Sequence, residues 1–143
     1  MPAGALAALM QGEHLLGLRP PSQVRVLAPS EKLDAQSDWI IGFKAFSDGA
    51  SLHGGHWERH PLGDEVLCLL EGRVRVILRA AGAGEGDEGG AGCATPLEPG
   101  QMLVVPRGSW HRLEVLAPGR LLFITPARGS EHERCGDALG SAD

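Results

Sequence analysis

Glu58, His60 and Glu65 fall within the stretch "HWERHPLGDEVLCLLEG", and His111 follows in "GQMLVVPRGSWHRLEV". Imidazole nitrogens and carboxylate oxygens are donors that divalent transition metals accept. A set of this kind, gathered in one place, would give an ion with Lewis acidity or an oxygen-activating centre. A carboxylate left off the metal would serve as a general base or hydrogen-bond a bound water.

Whether the four residues meet depends on the elements that carry them. Side chains alternate along a strand, so His56, Glu58 and His60 share one face and Trp57 and Arg59 the other. Pro61 ends that ladder and Gly63-Asp64 supplies a turn, after which Glu65 opens the next strand and points back toward His60. In the second stretch a strand runs into a Pro106-Arg107-Gly108 turn, and His111 starts another strand. If His111 faces the same interior, two imidazoles and up to two carboxylates converge.

The rest of the chain reads as strands. "QVRVLAP", "DWIIGFKAF", "DEVLCLLEG", "RVRVILRA", "QMLVVP", "HRLEVL" and "RLLFITP" predict seven short strands separated by Gly, Pro, Asp and Ser. In "RVRVILRA" the arginines alternate with Val74, Val76 and Leu78, giving one wet and one buried face. Many short strands with turn signals predict an all-β sandwich or barrel. Ala3 to Leu18 favours a short helix by composition, stopped by Pro20-Pro21. Residues 1–21 are therefore expected as an N-terminal segment, 22–126 as a single domain, and 127–143 as a polar tail. Ala81 to Gly92, "AGAGEGDEGGAG", is Gly-rich and acidic and is expected as a flexible loop. Its acidity and the lack of a following Lys-Ser/Thr exclude a phosphate cradle.

At 143 residues and a formal net charge of -5, the chain suits one core and gives no extended basic face for nucleic acid. Cys68, Cys93 and Cys135 are too few and too scattered for a disulfide framework or a Cys-x-x-Cys knuckle, which predicts a reduced, cytoplasmic setting. No apolar run reaches membrane-spanning length, and "MPAGALAALM" lacks a basic leader.

The two stretches resemble the paired motifs of the cupin superfamily, G-x5-H-x-H-x(3,4)-E-x6-G and G-x5-P-x-G-x2-H-x3-N. Gly100, Pro106, Gly108 and His111 match the second; His60, Glu65 and Gly72 match the first. Glu58 stands where the first motif histidine belongs, Leu52 where the leading glycine does, and Val115 replaces the asparagine. The resemblance implies a double-stranded β-helix, the cupin jelly-roll barrel, with a metal-capable pocket in one end. It implies a site of two histidines and two glutamates, His60, His111, Glu58 and Glu65, in place of the usual three histidines and one glutamate. Such a set is harder and more anionic, and suits Mn, Fe(II), Ni or Zn.

Other residues have plainer readings. Gly72, Gly100, Pro106 and Gly108 are expected as turn architecture. His56 is expected to line the pocket; Trp110, just ahead of His111, is expected at its mouth and could gate it, with packing the more frequent role for such a residue. Trp57 is out of phase with the site and is assigned to packing, as is Cys68, which faces away from Glu65. Arg59 and Arg107 are read as solvated or anion-facing; His14, His53 and His132 receive no role. The function expected is a small metal-binding cupin acting on a small polar or acidic metabolite. The alternative is a metal-free ligand-binding or sensory module. A homodimer is expected, joined through the exposed edge of a strand such as "QVRVLAP".

Overall fold

The structure, a computed structural model, describes residues 14–31, 36–48, 52, 55–79 and 91–134. Among these the period-two segments form nine strands: β1 (Leu15–Arg19), β2 (Gln23–Leu27), β3 (Trp39–Phe46), β4 (His56–Arg59), β5 (Glu65–Arg79), β6 (Ala91–Leu97), β7 (Met102–Val105), β8 (His111–Pro126) and β9 (Glu131–Arg134). All paired strands run antiparallel.

Two pairs of expected strands prove continuous. "DEVLCLLEG" and "RVRVILRA" form the single β5, and "HRLEVL" and "RLLFITP" form β8. The residues between them bend the strands without ending them. Gly72 adopts φ +89°, and a side chain there would collide with the carbonyl of Pro118; one on Gly119 would collide with the carbonyl of Glu71. The two bends press backbone on backbone, which only glycine permits.

Beyond the bends β5 and β8 pass from one leaf of the fold to the other. The second half of β8 lies between β3 and the first half of β5, with Ile41 and Val66 both opposite Ile124. β1 and β2 extend that leaf on one side and β7 on the other. The first half of β8 pairs with the second half of β5 and, through His111, with β4; β6 and β9 flank them. The core lies between the leaves, where Leu67, Leu69 and Leu121 from one meet Val74, Val76 and Leu113 from the other.

Three expectations change. The helix over Ala3–Leu18 does not run to its expected end, because Leu15–Arg19 is β1; Ala3 to Glu13 lie outside the described residues. Backbone pairing to β3 and burial of Leu15 override the local helix preference of Leu. Pro20-Pro21 stops no helix but turns β1 into β2, with Leu18 opposite Val24. The sheet also exceeds the expected 22–126 limits at both ends, taking in β1 and β9. Ala91 and Gly92, the last residues of the expected loop, belong to β6, and the remainder of that loop lies outside the described residues. Among the described residues β2 pairs with β1 alone and forms a sheet edge, as anticipated for "QVRVLAP".

Candidate metal site

The first site element is β4, a short strand inserted between β8 and β9. Glu58 stands opposite His111 on one side and His132 on the other. Alternation along β4 sends Trp57 to the outer face, where it is fully buried, and Glu58 to the inner one. His60 lies one residue past the strand, and the turns that follow each motif fix its backbone. Its carbonyl accepts the Gly108 N–H at 3.1 Å; the Arg107 N–H donates to Asp64 at 2.7 Å, and the Arg107 guanidinium to the Pro61 carbonyl at 2.8 Å. Arg107 is thus a clasp between the two motif turns.

Glu65 begins β5 opposite Val105 and is only 6% exposed. Its Oε1 lies 3.2 Å from His60 Nε2 and 3.1 Å from His111 Nε2. Glu58 Oε1 lies 3.7 Å from each of the same two nitrogens. One donor atom from each of Glu58, His60, Glu65 and His111 falls within 4.8 Å of the others. Ligands at about 2.0–2.2 Å from an ion span at most about 4.4 Å across it. The set is only slightly wider than a coordination shell, and its two imidazoles and two carboxylates are the donors a borderline divalent ion takes. The four residues fit a metal.

The other ring nitrogens are held from behind. His60 Nδ1 meets Ser130 Oγ at 2.9 Å, with Thr125 Oγ1 at 3.5 Å, and His111 Nδ1 lies 3.3 Å from the Ser109 carbonyl. Outer partners of this kind fix ring orientation in metal centres. Burial alone would lower the His60 pKa, but the Glu65 hydrogen bond and the charges of Glu65 and Glu58 raise it above its ordinary 6.5. Burial would likewise raise Glu65, yet hydrogen bonds from His111 and His60 and their charges bring it below its ordinary 4.5. Without an ion, the pair settles toward imidazolium and carboxylate.

His111 is fully buried beside Glu58, His60 and Glu65, which line one wall of a cavity of about 840 Å³. Its floor is apolar, built from Leu67, Leu113, Leu121 and Phe123, while Lys44 and Arg128 also line it. His56 lines the cavity, as the strand phase predicts. Trp110 does not: it packs on the outer face against Trp57 and Ile77, with the Arg59 guanidinium 4.7 Å above its ring. The turn after Gly108 places Trp110 outside the β8 ladder, so it does not stand at the mouth. Arg59 is not an anion site either, since it also pairs with Glu131 at 2.6 Å.

Sequence reasoning missed His132. Its Nε2 lies 3.0 Å from Glu58 Oε2, so Glu58 links the buried imidazoles to a third, largely exposed one. The signal was present in "SEHER", a polar period-two run that gains meaning only once β9 is placed beside β4.

No family model matches the chain, and no curated protein does. Solved structures do. A Bacillus subtilis oxalate decarboxylase variant aligns with a TM-score of 0.50 and 15% identity, over 70% of this chain and 24% of its own. A cupin-2 domain protein from Shewanella frigidimarina gives 0.45 and 21%, over 62% of this chain and 71% of its own. A hydroquinone 1,2-dioxygenase solved with Cd2+ and 4-hydroxybenzonitrile gives 0.48 and 24%, over 64% of this chain and 59% of its own. This chain therefore spans about a quarter of the decarboxylase and three fifths of the dioxygenase. With two long strands bent across both leaves and the motif turns clasped at one end, the chain has the cupin fold, a double-stranded β-helix.

Proposed function

We propose that this chain is a metal-binding cupin that holds one divalent ion, Mn, Fe, Ni or Zn, through His60, Glu65 and His111, with Glu58 as fourth ligand or as partner to a bound water. The observation that carries the reading is the convergence of two imidazoles and two carboxylates within 4.8 Å, three of the four residues lining a cavity. When bound, such an ion supplies Lewis acidity or oxygen activation to a small molecule beside it. The chain's own residues do the rest. Ser130 and the Ser109 carbonyl orient the imidazoles, and Glu58 is placed to take a proton at Oε1 while His132 holds Oε2. The substrate in this reading is a small metabolite with a polar or acidic head. Lys44 and Arg128 supply positive charge to that head, and the aliphatic floor receives any apolar remainder. The setting is cytoplasmic, and the assembly a homodimer without nucleic-acid or membrane partners; among the described residues no helix is long and apolar enough to cross a membrane.

A second reading rests on one contact pattern. Glu65 Oε1 hydrogen-bonds His60 Nε2 at 3.2 Å and lies 3.1 Å from His111 Nε2, so the carboxylate has imidazole partners without an ion. That arrangement suits a non-enzymatic ligand-binding or sensory module. Elemental analysis after incubation with Mn, Fe, Ni and Zn separates the two. About one ion per chain supports the metal reading, and an empty protein under all four leaves the pocket to ligand binding alone.

A further inference from the structure

The cavity beside the candidate metal site has two unlike ends. Residues directly opposite in an antiparallel ladder point to the same face. On the inner side of β3 and β8 the register gives three successive rows: Ile40 with Thr125, Gly42 with Phe123, and Lys44 with Leu121. All but Gly42 line the cavity. The first row belongs to the metal end, since Thr125 Oγ1 lies 3.5 Å from His60 Nδ1. Lys44 stands four residues along β3 from Ile40, which places its backbone about 13–14 Å from that row. β3 buries Ile40, Gly42 and Phe46 on this face, and Lys44 is the one charged, exposed member of the series. Among the described residues it has no ion pair or hydrogen bond. The walls between the two ends are apolar, with Leu15, Leu67, Leu113 and Phe123. Gly42 keeps that middle section open. A Cβ there would lie 2.5 Å from Leu15 and 2.6 Å from Phe123, so the bare glycine lets the Phe123 ring lie back against β3.

We infer that the cavity takes an elongated amphiphilic acid, a linear chain whose carboxylate sits at Lys44 and whose far end reaches the ion-binding residues; for that far end the inference rests on the metal reading. Charge sets the orientation. Glu58 and Glu65 repel an anion from their end until an ion balances them, while Lys44 attracts one at the other. The apolar middle sets the character of the chain, because methylene groups leave water there and a charged or hydroxylated spacer would lose its hydration without a partner. Size agrees. A cavity of about 840 Å³ encloses a whole chain-like ligand, and acetate is too short to touch both ends. The lysine stem packs along the apolar wall while its ammonium stays at the wet rim, as such side chains do. An ion bound at the far end reverses the charge there and admits a second oxygen group on the same chain.

Titration calorimetry of the full chain with acetate, hexanoate, decanoate, decylamine and sebacate tests the inference, on metal-free and metal-loaded protein, with metal content measured alongside. Affinity for the monocarboxylates should rise roughly threefold per added methylene. Decanoate should bind metal-free protein more tightly than decylamine, and more tightly than sebacate, whose second carboxylate meets Glu58 and Glu65. With the ion in place the order of sebacate and decanoate should reverse. Lys44→Gln, a change at an exposed position, should weaken decanoate roughly tenfold and leave metal content unchanged, and Lys44→Arg should restore binding. Equal affinities for acetate and decanoate overturn the inference. So does decylamine binding as tightly as decanoate, or a Lys44→Gln variant that binds decanoate like the wild type. A chain that takes up no metal yet shows the length and Lys44 dependence refutes the metal reading alone, and a loaded chain without that dependence refutes this inference alone.

Discussion

Two clusters of charged side chains flank β4, β8 and β9 and differ in one respect. On the outer side of β4, β8 and β9, Arg79 pairs with Glu133 at 2.5 Å and stacks 4.7 Å from the Trp57 ring, with Arg112 at 5.2 Å from the same ring. On the inner side stand Glu58, His111 and His132, each next in sequence to an outer-cluster residue, joined by His60 and Glu65. The outer cluster brings its own cations, as guanidinium on carboxylate and on aromatic faces. The inner one has two carboxylates and no lysine or arginine among the four converging residues, so its balance must come from protons or from a metal. The outer cluster holds more cation than carboxylate and rests it on an aromatic face, whereas the inner cluster holds carboxylate that awaits a cation.

The sharpest way to break this contrast is to remove one member from each cluster. His111→Ala should take metal content from about one ion per chain to near zero while the fold persists. Glu58→His, which restores a three-histidine set, should retain or tighten binding. Trp57→Ala should do the converse, costing about 3–5 kcal/mol of stability while metal content in the still-folded protein holds. Thermal unfolding followed beside elemental analysis checks both; loss of metal in Trp57→Ala at temperatures well below its transition would merge the two clusters into one.

The contrast also has a pH signature. The folded His60 pKa is raised above 6.5, so its contribution to metal-free stability is fully present below 6.5 and fades as pH climbs through the raised value. The folded Glu65 pKa is lowered below 4.5, so its contribution is present above 4.5 and fades as pH falls through the lowered value. The metal-free protein should therefore melt highest between these limits. Metal binding needs neutral imidazole, so affinity should rise with pH through the raised His60 value, above 6.5. Melting curves of metal-free and metal-loaded protein across this range should diverge as pH increases; parallel curves would show that His60 is not a ligand. The smallest effect expected is that of His132→Ala. It frees one oxygen of Glu58 at the exposed rim and should lower metal affinity by no more than roughly tenfold, read by titration against a competing chelator.

Much of the inner cluster was legible because both motifs are local. Each fixes a turn and the phase of one strand, and phase alone aims Glu58, Glu65 and His111 inward. What crosses the fold was not legible. His132 reaches Glu58 only through the β4–β9 ladder, which no spacing encodes. Trp110 was misplaced because its turn leaves the alternation from which its direction was inferred. Gly72 and the Pro118-Gly119 pair read as strand ends, since a bend forced by one close backbone crossing looks in sequence like a turn. Leu15 to Leu18 read as helix because propensity is a local quantity and pairing with β3 is not.

The placement of β4 sets the order in which the site can come into being. It holds only four residues, and among the described residues it pairs in the sheet with β8 and β9 alone, neither of them a hairpin neighbour with which to form early. Glu58 finds its neighbours at positions 111 and 132, separations whose closure is entropically slow and belongs to the late stage of folding. The donor set is accordingly complete only once β8 has paired with β4. An ion arriving during synthesis would find scattered side chains, and one arriving afterwards a preformed set of donors, so a metal bound there would act as a late clamp on unfolding more than as a nucleus for folding.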